Sequence, residues 1–225
     1  MHIPDGFIDL PTSAGFALAS ASGVAVALKG AKAQLDEKSA PLAGLTATFV
    51  FAAQMLNFPV AAGTSGHLLG GVLAALLVGP FAATLAITMV LILQGFLFAD
   101  GGLSALGLNI FNMALLGVWV GYGLFLLVMK FLPKQRVSFL SAAFVAALIS
   151  VPVAAVGFLI QYAIGGTATF SLSTVIAAML GTHFIIGIGE GVITMLTLSA
   201  VFATRPDLIF GWKKYQSALV LKGQK

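Results

Sequence analysis

The chain has no cysteine, and charged side chains make up only 8% of its 225 residues. Without thiols there is no disulfide framework, no thiolate zinc centre and no cysteine nucleophile. No lysine follows a glycine, so the chain holds no phosphate-binding loop and no ATP site of its own. Met1 to Gly6 carry no basic side chain, so no secretory leader is expected there. The scarcity of charge excludes most. Soluble domains average roughly 25% charged residues, whereas here 60% are hydrophobic and mean hydropathy reaches +1.08. So few charges cannot cover a 23.1 kDa protein in water. The remaining solvent is lipid, with room for one domain of six or seven helices at ~20 residues each.

Apolar runs bounded by glycine, proline and charge give seven candidate spans, near 12–30, 43–57, 66–79, 82–99, 107–130, 138–163 and 173–203. Only Gly79-Pro80 separates the third from the fourth, which predicts a tight helical hairpin. All eleven basic residues then fall on one side: Lys29, Lys32 and Lys38 after span one, Lys130, Lys134 and Arg136 after span five, and five from Arg205 onward. The loops 58–66, 100–106 and 164–172 contain none. Positive residues mark the cytoplasmic side, so the C-terminus is expected in the cytoplasm and, with seven spans, the N-terminus outside. The expected fold is all-α, a seven-helix transmembrane bundle forming one domain over 1–225. Residues 1–11 are its external segment. Residues 205–225 are a cytoplasmic tail, in which Trp212 and Tyr215 beside Lys213 and Lys214 read as interfacial anchors. The net charge of +4 is topological and calls for no nucleic acid.

There are three histidines, and this topology puts His2 and His67 on the same membrane face. Pro4-Asp5-Gly6 is a turn that would fold residues 1–3 back, and Leu10-Pro11-Thr12-Ser13 offers a cap for the first helix. A free Met1 amine, the backbone nitrogen of His2 and its Nδ1 can close fused five- and six-membered rings on one metal ion. Those three nitrogens lie close to a plane, and His67 is the natural fourth ligand. A planar nitrogen set suits Ni(II) or Cu(II) over zinc, calcium or magnesium. Initiator methionine is expected to stay, because the bulky His2 discourages its removal. Spacing alone also allows two histidines with no ligand role.

Other polar residues open rival readings. Gly63-Thr64-Ser65-Gly66 with His183 in span seven has the elements of an intramembrane serine protease dyad. Against it, Thr64 and Ser65 are better explained as caps of span three, and the protease is the remote alternative. Glu190, deep in span seven and seven residues beyond His183, is either an ion relay or a helix contact to Gln54, Gln94 or Gln161. Asn109 and Asn112 either line a cavity on the His67 side or bond between helices. Ala17, Ala21 and Ala25 form a small face on span one, suited to close helix packing.

Met1-His2-Ile3-Pro4-Asp5-Gly6, the block Gly63-Thr64-Ser65-Gly66-His67-Leu68-Leu69-Gly70-Gly71, Phe98-Ala99-Asp100-Gly101-Gly102 through Asn109-Ile110-Phe111-Asn112-Met113, and Gly187-Ile188-Gly189-Glu190-Gly191 together resemble the CbiM/NikM family. These are the substrate-binding membrane subunits of energy-coupling-factor nickel and cobalt transporters. The resemblance implies an N-terminal segment dipping into a seven-helix bundle from outside. It implies metal held by the Met1 amine, the His2 backbone nitrogen and imidazole, and the His67 imidazole. Thr64, Ser65, Asn109 and Asn112 are the residues expected around that site. The chain would be no enzyme, and energy would come from partners: a transmembrane scaffold subunit, cytoplasmic ATPases and a small accessory membrane subunit. The implied location is a bacterial or archaeal cytoplasmic membrane. The transported ion is read as Ni(II), with Co(II) as the alternative.

Overall fold

A computed structural model describes residues 1–34, 39–60 and 65–215. Its helices are α1 (Leu10–Gln34), α2 (Ser39–Gln54), α3 (Gly71–Val78), α4 (Pro80–Phe98), α5 (Leu106–Phe131), α6 (Arg136–Gly165) and α7 (Leu172–Thr204). A two-residue antiparallel hairpin pairs Phe58–Pro59 with Ser65–Gly66. After α7 come a 3-10 turn, Pro206–Leu208, and a further helical stretch from 210.

Among the described residues, five helices, α1, α4, α5, α6 and α7, are long and apolar enough to cross a membrane. Their outer faces carry Leu18, Phe96, Ile160 and Ile185, all well exposed, as lipid-facing side chains are. The expected third span takes a different form. Residues 67–70 are non-helical, and α3 has eight residues, about 12 Å of rise. That is far short of a hydrocarbon core of roughly 30 Å. All eight residues of α3 are buried, against α2, α4, α5 and α6. Its uniform apolarity reflects a protein environment on every side, which hydropathy does not distinguish from lipid. With 16 residues, α2 is also shorter than the other spans.

Local chemistry sets the breaks. Gly70, at φ 74°, opens α3, and Gly79, at φ 88°, closes it with its N–H on the Ala75 carbonyl. Pro80 then starts α4 at the position where a missing N–H costs nothing. Because α3 begins at Gly71, Ser65 is not its cap; it sits in the hairpin. The cap of α1 is likewise Asp9, whose Oδ1 accepts the Thr12 N–H at 2.9 Å. A π-helical turn, Phe111–Gly117, widens α5 just after Asn109.

The two ends of the bundle differ. At one end the N-terminal segment meets two of the three loops that lack basic residues: Gly102 N–H donates to the Ile3 carbonyl at 2.8 Å, and Thr167 N–H to that of Phe7 at 3.1 Å. At the other end Phe139 gathers Phe202, Trp212 and Tyr215 in edge-to-face contacts. Trp212 and Tyr215 are therefore covered by protein, not set out as lipid anchors. Lys134 lies over the Tyr215 ring and Arg136 over Phe202. Residues 216–225 of the expected tail lie outside the described residues.

Candidate metal centre

The first three residues are buried: Met1 is 1% exposed, His2 4% and Ile3 1%. Polar contacts hold them there. Asn109 brackets Ile3, its Oδ1 accepting the backbone N–H at 2.9 Å while its Nδ2 faces the carbonyl at 3.4 Å. Asp5 Oδ1 accepts both the backbone N–H (2.8 Å) and the hydroxyl (2.6 Å) of Ser104. Thr167 donates its hydroxyl to the Gly6 carbonyl at 2.6 Å, and Asp9 N–H bonds the Gly165 carbonyl. The expected turn at Pro4-Asp5-Gly6 is present, with Gly6 at φ 73°.

The segment's burial brings His2 against His67, with ring centroids 4.6 Å apart. His67 is completely buried, on the extended stretch before α3. Two helices clamp that stretch. Glu190 of α7 accepts the N–H groups of Leu69 (2.5 Å) and Gly70 (2.7 Å), and Gln54 of α2 donates to the Leu69 carbonyl at 2.8 Å. The acid deep in α7 is thus satisfied by backbone N–H groups, a structural contact to a loop.

Each imidazole presents one nitrogen. His67 Nδ1 lies 2.7 Å from the Leu68 carbonyl oxygen, which only accepts, so Nδ1 carries the proton and Nε2 the lone pair. Nε2 has no hydrogen-bond partner among the described residues. His2 Nε2 stands 3.5 Å from Asp100 Oδ2, and Asn57 Nδ2 holds that same oxygen at 2.9 Å. A proton on Nε2, facing the carboxylate, leaves Nδ1 of His2 bare.

Burial keeps these nitrogens neutral. It pushes the Met1 ammonium from 8.0 down to about 4, against the opposing pull of Asp100. It pushes His2 to about 2, with the amine's charge adding to the effect, and holds His67 well below its usual value. The Met1 amine, His2 Nδ1 and His67 Nε2 are nitrogen donors, of the type that divalent ions of the later first row take, at the buried N-terminal segment where the two rings stack. Above them a cavity of about 540 Å³ opens beside His2, Asp5 and Asp100.

Not every expected residue joins. Asn112 pairs reciprocally with Gln161 of α6 at 2.8 and 2.9 Å, so it ties helices together. Thr64 lies outside the described residues, as does the side chain of Ser65. His183 Nδ1 is engaged by the Met179 carbonyl, which leaves the serine–histidine reading without a shown dyad. Asp100 and Gly101 are the residues that sequence reasoning missed as site members. Ala99, at φ 51°, ends α4 and lets Asp100 N–H return to the Gln94 carbonyl, which swings Asp100 toward His2. The Phe98-Ala99-Asp100-Gly101-Gly102 string was visible, but no spacing rule ties it to position 2.

Gly101 adopts φ 91°, and a Cβ there would lie 3.1 Å from both His2 Nδ1 and Asn109 Nδ2. Gly101→Val should therefore loosen the docked segment and weaken metal binding by about tenfold. Gly44→Ala, where an added Cβ meets nothing within 4 Å, is the control in the same nickel titration.

Apolar helices long enough to cross a bilayer, closed over a buried N-terminal segment, define a membrane protein with an enclosed polar site. The chain belongs to the CbiM family, described as the cobalt uptake substrate-specific transmembrane region, which matches residues 2–208. It is 38% identical to a putative metal transport protein of Haloquadratum walsbyi, over 93% of this chain and 94% of that one. It is also 38% identical to a putative fused nickel transport protein of Archaeoglobus fulgidus, over 93% of this chain and 68% of the relative. A crystal structure of a truncated transition metal transporter superposes with a TM-score of 0.80 at 32% identity, covering 90% of this chain and 99% of the other. The protein is a multi-pass nickel/cobalt transport protein of this family.

Proposed function

We propose that the chain is the substrate-capturing subunit of an ATP-driven uptake transporter of the energy-coupling-factor type. It takes Ni(II) from outside through four nitrogens: the Met1 amine, the His2 backbone nitrogen, His2 Nδ1 and His67 Nε2. The observation that carries this reading is the buried N-terminal segment, whose His2 ring stacks on that of His67 beside the enclosed Met1 amine. The His2 amide loses its proton when it ligates, and a planar field with an amide donor favours Ni(II) over Co(II), the alternative substrate.

In this reading the end bearing the N-terminal segment and the 100–105 and 165–168 loops faces outside, and the basic end faces the cytoplasm. The seven helices form the membrane bundle of a bacterial or archaeal cytoplasmic membrane. Energy enters through a transmembrane scaffold subunit and cytoplasmic ATPases, with a small accessory membrane subunit. Asp100 steadies the His2 ring from outside the ligand set and adds negative charge where a cation arrives.

The test is nickel titration of the purified chain with a free Met1 amine, expected to bind one equivalent. Its pH dependence has a definite sign. The docked amine is held down to about 4, so it carries no proton to release near neutrality; the proton released on binding is that of the His2 amide. Nickel affinity should therefore rise about tenfold per pH unit from mildly acidic pH through pH 8. A flat profile over that window would show that the amide nitrogen is not a ligand.

A further inference from the structure

The site above leaves one histidine unused. His183 is completely buried on α7. Its Nδ1 lies 2.7 Å from the Met179 carbonyl oxygen, so Nδ1 holds the proton. Its Nε2 keeps a lone pair and has no hydrogen-bond partner among the described residues. His67 is arranged in the same way, one nitrogen fixed on a backbone carbonyl and the other bare. That tautomer, locked by a carbonyl, is how an imidazole is held ready for a metal ion.

The two imidazoles flank a single seam. Residues 66–70 run along α7: a Cβ on Gly66 would lie 2.8 Å from Ile186 Cδ1 and 3.7 Å from Thr182 Cγ2. Further along, Leu68 Cδ2 lies 4.0 Å from the Cβ position of Gly189, and Leu69 and Gly70 donate to Glu190. His67 lies within that stretch, and His183, between Thr182 and Ile186 and seven residues before Glu190, stands on the face of α7 that meets it. Yet among the described residues no three histidine or carboxylate side chains stand within ligating reach of one ion. In this conformation His183 is a separate position beside the chelate, not a fifth member of it.

We propose that His183 Nε2 and His67 Nε2 form a second station for the divalent metal ion, reached as the ion leaves the Met1–His2 chelate. His67 is common to both sets, so the ion need never be released. Its bonds to the Met1 amine, the His2 amide nitrogen and His2 Nδ1 break, a water on the ion gives the amide its proton and stays bound as hydroxide, and His183 supplies a replacement lone pair. His183 stands about 16 Å along α7 from Leu172, toward the basic end. The inference rests on the metal-uptake reading above and extends it to a step after capture.

The station is unmasked by disabling the chelate. The full chain, purified with several residues placed before Met1, is titrated with Co(II) and followed by its visible ligand-field absorption. The expected result is one residual equivalent, weaker than the native site by at least about 100-fold, with an imidazole spectrum. His183→Asn should abolish it. Asparagine can still reach the Met179 carbonyl but has no distal nitrogen, so a merely structural role for His183 would leave the residual site intact. His67→Ala, on the loop and away from the α7 backbone, should abolish it as well. Survival of the residual equivalent in either variant overturns the station, as does its absence from the extended parent. Failure of the uptake reading would look different: the native chain with free Met1 would bind no nickel.

Discussion

A few residues added before Met1 are expected to lower nickel affinity by roughly a thousandfold, about 4 kcal/mol, while leaving the fold intact. The amine becomes an amide and loses its basic lone pair. The added residues also have no room, because Met1 is 1% exposed and Ile3 beyond it is locked to Asn109 and Gly102. Three of the four proposed donors belong to residues 1 and 2, so losing the end of the chain removes the chelate as a unit. A C-terminal tag should have no such effect, since 205–215 lie at the opposite end, among Phe139 and Phe202. Paired titrations of the two tagged forms, with thermal melts to establish folding, check this. Equal affinity in both would place the metal elsewhere.

Replacing Glu190 by leucine is the second large effect. Its carboxylate accepts the N–H groups of Leu69 and Gly70 in a fully buried setting. Leucine leaves both without an acceptor, and each unpaired buried donor costs about 1–3 kcal/mol. A loss of about 3–5 kcal/mol in stability is expected. The same change frees the stretch that positions His67, so nickel affinity should fall with it. Glu190→Gln keeps one acceptor and leaves one of the two N–H groups unpaired, so it should lose about 1–3 kcal/mol, less than leucine, with metal binding weakened less. Thermal unfolding in detergent and nickel titration of the two variants distinguish this from an ion relay. A relay would tolerate leucine in the fold and fail with glutamine in transport.

Much of the architecture was legible because lipid imposes a blunt rule. A segment that crosses the membrane must satisfy its backbone internally and show apolar side chains, so α1, α4, α5, α6 and α7 stand out as long runs. The clustering of His2 with the 58–66 and 100–106 loops at one end followed from the same runs and from where the basic residues fall. Span three was misjudged because Val72, Leu73, Leu76 and Leu77 are apolar for the sake of protein neighbours. Asp9 displaced Thr12 and Ser13 as the first cap because α1 begins two residues earlier than its apolar run.

The candidate site divides along the same line. Which atoms could chelate an ion is a matter of covalent chemistry: an amine, an amide nitrogen and an imidazole joined in sequence form rings of fixed size wherever the chain goes. The sequence by itself determined that much, along with the membrane as solvent and the one-sided distribution of charge. Only the tertiary structure decided that His67 meets His2 and that Asp100 faces the other side of its ring. It also decided that Glu190 accepts from the loop behind them, and that His183 is buried with one ring nitrogen unpartnered among the described residues. Those contacts join residues far apart in the chain, through a left-handed Ala99, a positive-φ Gly101 and an extended stretch before α3. No local periodicity encodes them, because each exists only once the helices have packed.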